Sequence, residues 1–186
     1  NSNPITVEDW KAAIDATVIK QGVFNFVFHP AGWVQNTQML DWIDHITETH
    51  GNKVKFLNFR EARELLTKNL LGGQPLKSSN GQDNGVRLID LNNDSYMDVV
   101  IGNEKLKQTR LWDPKTKSWN TSPFPFQLVQ VDSDGNRSDA GARFGILQAS
   151  GNASVLISNK NVNGIWHFDG SIWLKDQTQS QGLKFD

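Results

Sequence analysis

Apolar residues recur at helical spacing near the start of the chain. Val7, Trp10, Ile14 and Val18 fall on one face, Thr6 with Asp9 makes a capping box ahead of them, and Gly22 closes the segment. Residues 23–28 then form a nearly continuous apolar and aromatic run, too short for a helix and suited to a strand buried on both faces, with His29-Pro30 ending it. A second helix is predicted over residues 37–50, with Met39, Trp42, Ile43 and Ile46 inward and Asp41, His45 and Glu48 on the opposite, solvated stripe. Residues 54–57 make the next predicted strand, and Asn58 with Glu61 caps a third helix carrying Ala62, Leu65 and Leu66. This α-β-α-β-α order, with strands buried on both sides, predicts parallel strands of a wound sheet or a (β/α) barrel. Two strands close neither, so the segment reads as part of a barrel.

Near Gly72-Gly73 the pattern changes to short strands and polar turns, which divides the chain into residues 1–74 and 75–186. The second part repeats itself. Gly85-Val86-Arg87-Leu88 recurs as Gly141-Ala142-Arg143-Phe144, a shift of 141 − 85 = 56 residues. At the same shift Asp83 falls on Asp139, Leu91 on Leu147, Val99-Val100-Ile101 on Val155-Leu156-Ile157, Asn103 on Asn159, and Trp112-Asp113 on Phe168-Asp169. Each unit, at about residues 83–130 and 139–180, reads as three or four short strands, the pattern of a propeller blade or a similar sheet module. The predicted fold class is therefore α/β plus all-β: a partial parallel (β/α) barrel segment followed by two β-propeller-type blades.

Composition narrows the chemistry. A formal net charge of −1 gives no broad cationic surface for nucleic acid or an anionic membrane, and no apolar run is long enough to span a bilayer. The chain has no cysteine, which excludes a disulfide scaffold and a thiolate metal cluster. It also lacks a Gly-rich phosphate loop and a G-x-S-x-G nucleophile elbow.

Two constellations remain. Asp90-Leu-Asn92-Asn-Asp94-Ser-Tyr96-Met-Asp98 sets side-chain oxygens at alternate positions of a tight loop, with the Tyr96 backbone carbonyl available between Asp94 and Asp98. A calcium ion takes 6 to 8 oxygens, and such spacing converges on one point when the backbone curls around it. An Asn/Asp-rich hairpin turn without an ion has the same composition. Ser95 stands where the EF-hand loop carries glycine, which makes the turn less comfortable. In the second unit the matching residues are Ile146, Gln148, Ser150 and Ser154, too poor in charge to hold a divalent ion. The other constellation is His29 at the end of the first predicted strand, where reactive groups of parallel barrels gather, with Trp33 placed to stack on a sugar face.

The stretch from Gly85 to Trp119, with its Asp-x-Asn-x-Asp-Ser-x-x-Asp loop followed by Val-Val-Ile-Gly-Asn, resembles the VCBS or FG-GAP repeat of bacterial extracellular proteins. That resemblance implies calcium-stabilised β-propeller blades, a secreted, periplasmic or cell-surface setting, and roles in adhesion or glycan contact. The run Gly22-Val-Phe-Asn-Phe-Val-Phe-His-Pro30, the Trp42-Ile-Asp-His45 helix and Lys53-Val-Lys-Phe-Leu-Asn-Phe-Arg-Glu-Ala62 are similar to the C-terminal part of polysaccharide deacetylases of the NodB type. There the resemblance implies that His29 is the general acid protonating the leaving amine. The family's aspartate base and Asp-His-His zinc triad belong to an N-terminal half not present in this sequence, so zinc is expected only in a complete parent barrel.

The expectation is a portion of a secreted bacterial carbohydrate-active protein: a polysaccharide deacetylase parent with calcium-binding repeats, this chain alone being inactive. Its partners would be a polysaccharide or glycan, together with the missing barrel half or a complementary chain. The alternative is a non-catalytic, calcium-dependent adhesion or glycan-binding module. The two differ in whether an upstream zinc motif exists.

Overall fold

A computed structural model of the chain describes residues 5–29 and 32–181. It forms two compact units that divide between Asn58 and Phe59.

The first unit is helical. Helices α1 (Ile5–Ile19) and α2 (Asn36–His50) form where the apolar periodicity places them, and Gln35 opens α2 through a reciprocal capping box with Gln38. Their packed faces meet through Val7, Ile14, Trp42 and Ile46, with Trp10, Met39 and Ile43 alongside. Residues 22–29 run extended, and only their inward side chains are covered. The Phe26 ring lies 4.7 Å from Trp42 and 4.8 Å, edge-on, from Trp10. Val23 and Val27 stay 63% and 76% exposed on the other side.

The expected fold class is therefore corrected. Residues 23–28 and 54–57 are not strands, every strand pairing among the described residues is antiparallel, and no (β/α) barrel segment forms. An apolar run signals a strand buried on both faces only when other elements cover both. Here a helix pair covers one face, and nothing among the described residues hydrogen-bonds the run into a ladder.

The second unit contains α3 (Phe59–Leu65), which passes into one wider turn at Leu66–Leu70, and then three antiparallel sheets. The first is a meander of β1 (Val86–Ile89), β2 (Asp98–Gly102), β3 (Lys107–Asp113) and β4 (Ser118–Pro123). A hairpin of β5 (Val129–Val131) and β6 (Arg137–Asp139) follows. The last is a meander of β7 (Arg143–Gly145), β8 (Ser154–Ser158), β9 (Asn163–Phe168) and β10 (Trp173–Asp176), closed by α4 (Gln177–Ser180). The second unit is thus two antiparallel meanders and a hairpin, and the first is helical, in place of the expected barrel segment and propeller-type blades.

Strand β2 is the most deeply buried element, because both of its faces are covered. Leu70, Leu71 and Leu106 pack with Val99 and Ile101 on one side. Val100 joins Leu91, Phe124, Phe126, Val155, Ile157 and Phe168 on the other, in a core shared by both meanders. Leu70 ends the wide turn and Leu71 follows it directly, which is why α3 belongs with the sheets. No helix among the described residues is long and apolar enough to cross a membrane.

Candidate functional site

The acidic loop joins β1 to β2, in a hairpin whose register pairs Ile89 with Asp98. Two of its residues take left-handed backbone conformations, Asn93 at φ 58° and Ser95 at φ 68°. Asn tolerates this region, whereas serine there is strained, in keeping with the glycine expected at that position. The loop is held by its own carboxylates. Asp90 accepts the backbone N–H of Asp94 at 3.1 Å and of Ser95 at 2.8 Å, and Asp94 accepts the Tyr96 N–H at 2.8 Å and the Asn92 side-chain amide at 2.9 Å. The Asn92 Oδ1 atom is buried and has no hydrogen-bond partner.

Asp98 closes the loop from below. It is fully buried and accepts the Leu91 N–H at 3.0 Å on one oxygen and the Trp112 N–H at 2.8 Å on the other. Burial pushes its pKa up to about 6; the two N–H bonds oppose the rise and the nearby charges of Asp94 and Asp90 add to it. Among the described residues no lysine or arginine pairs with Asp90, Asp94 or Asp98. Three carboxylates and an unpartnered amide oxygen therefore share a loop with no cation to balance them. Their oxygens do not all lie within 4.8 Å of one another, but ligands on opposite sides of calcium stand about 5 Å apart at its 2.3–2.6 Å bond lengths. Each carboxylate oxygen bound to one N–H keeps a lone pair for an ion.

The second repeat shows what the loop becomes without charge. At the position of Asp98 it carries Ser154, whose hydroxyl hydrogen-bonds His167 Nδ1 at 2.8 Å, while Asp176 lies 3.2 Å from His167 Nε2. This chain has the residue types of a hydrolytic triad. Ser154 is 1% exposed, however, which leaves its hydroxyl no access to a substrate. The chain satisfies a buried histidine instead.

The other sequence-predicted residues lie in the first unit. His29 ends the extended segment, and its ring stands 4.6 Å from that of Trp33 in an edge-to-face arrangement, both side chains being exposed. No carboxylate among the described residues hydrogen-bonds His29, and the barrel mouth that would have brought reactive groups around it is not formed.

One cluster escaped the sequence reading. Asp15 of α1 meets His45 and His50 of α2, with its Oδ1 atom 2.8 Å from His45 Nε2 and 2.6 Å from His50 Nε2. Both imidazoles hold the Asp15 carboxyl below its usual range, His50 more than His45. His45 is thus partly buried against Asp15, not solvated beside Asp41. His45 and His50 lie 30 and 35 positions beyond Asp15, so no local motif announces the three together.

Comparisons with protein-family models, with curated proteins and with solved structures find no match for the chain.

Proposed function

We propose that the chain contributes a calcium-clamped, non-catalytic binding module to an extracellular carbohydrate-active protein, with the ion held by Asp90, Asn92, Asp94, Asp98 and the Tyr96 carbonyl. The observation that carries this reading is the uncompensated acidic loop at the edge of the deepest core strand. Burial raises Asp98 and the charges of Asp94 and Asp90 add to the rise, and a buried amide oxygen in the same loop lacks a partner. An oxygen-only donor set selects a hard cation over zinc. A loop without a bidentate glutamate binds such an ion weakly, in the range of about 10⁻⁴ to 10⁻³ M typical of extracellular modules, and so fills only where calcium is abundant. The resemblance to VCBS repeats supports the same setting and supplies the glycan partner. A deacetylase parent has less support, since the barrel segment that would set His29 among reactive groups is not formed.

Calcium binding tests this. Millimolar calcium should raise the melting temperature of EGTA-treated protein, and Asp94→Asn should abolish the rise while leaving the calcium-free melting temperature within a few degrees of wild type. A melting curve indifferent to calcium ends the proposal. Retention on immobilised bacterial polysaccharide that EGTA releases would support the glycan partner, and retention unaffected by EGTA would count against a calcium-dependent contact.

A further inference from the structure

We infer that Asp15, His45 and His50 form a binding site for a divalent transition ion of the zinc class, separate from the acidic loop and independent of the function proposed above. The ligating atoms Asp15 Oδ1, His45 Nε2 and His50 Nε2 all lie within 4.8 Å of one another. Two imidazole nitrogens and one carboxylate oxygen are the donor set of open zinc sites, which keep a further position for water, and of the two-histidine, one-carboxylate iron sites. Calcium and magnesium prefer all-oxygen surroundings, so this cluster and the acidic loop select different ions.

The geometry needs little change to accept the ion. A single oxygen of Asp15 now receives both imidazole N–H groups, at 2.8 and 2.6 Å. Exchanging those two protons for one metal ion uses the same three atoms and requires them to move apart by about 1 Å, since zinc binds nitrogen and oxygen ligands at about 2.0–2.2 Å. The scaffold is firm beneath them, because α1 and α2 are locked together by Val7, Ile14, Trp42 and Ile46. His50 is the last residue of α2, so the ion would sit at the negative end of that helix dipole. The side chains are 11% exposed at His50, 23% at His45 and 38% at Asp15. The histidines are thus partly shielded from competing water, while the carboxylate side stays open for a water ligand or an exchanging anion.

The competing role is structural: a carboxylate that bridges two imidazolium or imidazole N–H groups and staples two helices. The two roles differ in what Nε2 carries. In chelator-stripped protein titrated with zinc, one equivalent should bind with the fold intact, and Asp15→Asn and His50→Gln should each weaken binding on the order of tenfold or more. Asp94→Asn and His29→Gln should leave binding unchanged. Cobalt(II) in place of zinc should give the visible absorption of a low-coordinate nitrogen and oxygen site. Should a variant fail to fold, nitrogen-15 NMR of the histidine rings in the wild-type chain decides, with Nε2 of His45 and His50 both losing their protons on zinc addition. Nε2 protons retained at saturating zinc, or zinc affinity equal in wild type and Asp15→Asn, would overturn the site.

Discussion

Asp98 carries the conflict at the centre of the acidic loop. Its two oxygens satisfy two backbone N–H groups, yet burial and the neighbouring Asp90 and Asp94 favour the protonated form. A carboxyl raised from its ordinary value to about 6 contributes stability that is fully present below pH 4 and is lost as the pH rises through about 6. A calcium ion reverses this by favouring the ionised form. Asp98→Asn removes this titration. In EGTA, the stability of wild type relative to Asp98→Asn should therefore fall between pH 5 and pH 7. Millimolar calcium should restore it at pH 7. Paired urea titrations at the two pH values measure the difference, and a wild-type advantage independent of both pH and calcium would show that Asp98 serves only as an acceptor for Leu91 and Trp112. The repeat has reached the same place by another route, with Ser154 where Asp98 stands and a histidine supplying the partner.

Among the elements, the turn that begins each repeat shows why the two copies fold alike. Asp83 accepts the Gly85 N–H at 2.9 Å and grips Arg87 through both carboxylate oxygens, and Asp139 accepts the Gly141 N–H at 2.8 Å and pairs with Arg143 at 2.7 Å. Asn103 and Asn159 each cap the next hairpin, donating to the Asn84 and Ala140 carbonyls respectively. Both glycines have positive φ, 66° at Gly85 and 85° at Gly141. A Cβ at Gly85 would strike the Gly102 backbone carbonyl, whereas at Gly141 it would approach the Ser158 oxygen to 2.9 Å. Gly85→Ala should thus cost more than Gly141→Ala, with about 1–3 kcal/mol of backbone strain common to both and the more severe of the two backbone clashes at Gly85. Chemical denaturation checks the order, and equal losses would mean that β2 yields at Gly102.

The repeat was legible in the sequence because the same residue types recur at a constant shift, with the aspartate that opens each copy bonding the glycine N–H two residues on. Helices α1 and α2 were legible through their periodicity. Residues 23–28 were misread because composition does not say what lies beyond a run's second face, and Val27 in fact faces outward. The Asp15 cluster was hidden because helix packing, and not spacing along the chain, brings its members together.

At the scale of the whole second unit, the two meanders share one core and are joined by buried polar links. The Trp173 indole N–H on β10 donates to the Thr109 hydroxyl on β3 at 2.9 Å, with both residues buried. Around it, Phe124 meets the Trp173 ring edge-on at 5.5 Å, and the Ala153 N–H reaches the Leu91 carbonyl at 2.8 Å. Shared packing of this kind couples the sheets into one cooperative structure, and the indole bond fixes which strands face each other. Thr109→Val keeps the side-chain shape but strands a buried donor, a loss of about 1–3 kcal/mol. Trp173→Phe removes the donor along with part of the ring. In the double variant the threonine substitution should cost less than it does in wild type, because no orphaned N–H remains. Hydrogen exchange makes the reach of the effect visible. If the meanders open together, Thr109→Val should lower the protection of the Val100 amide on β2 and of the Val155 amide on β8 by the same factor, although Val155 belongs to the other sheet. Loss of protection at Val100 with Val155 unchanged would show that each meander opens on its own and that the indole bond only joins two independently stable sheets.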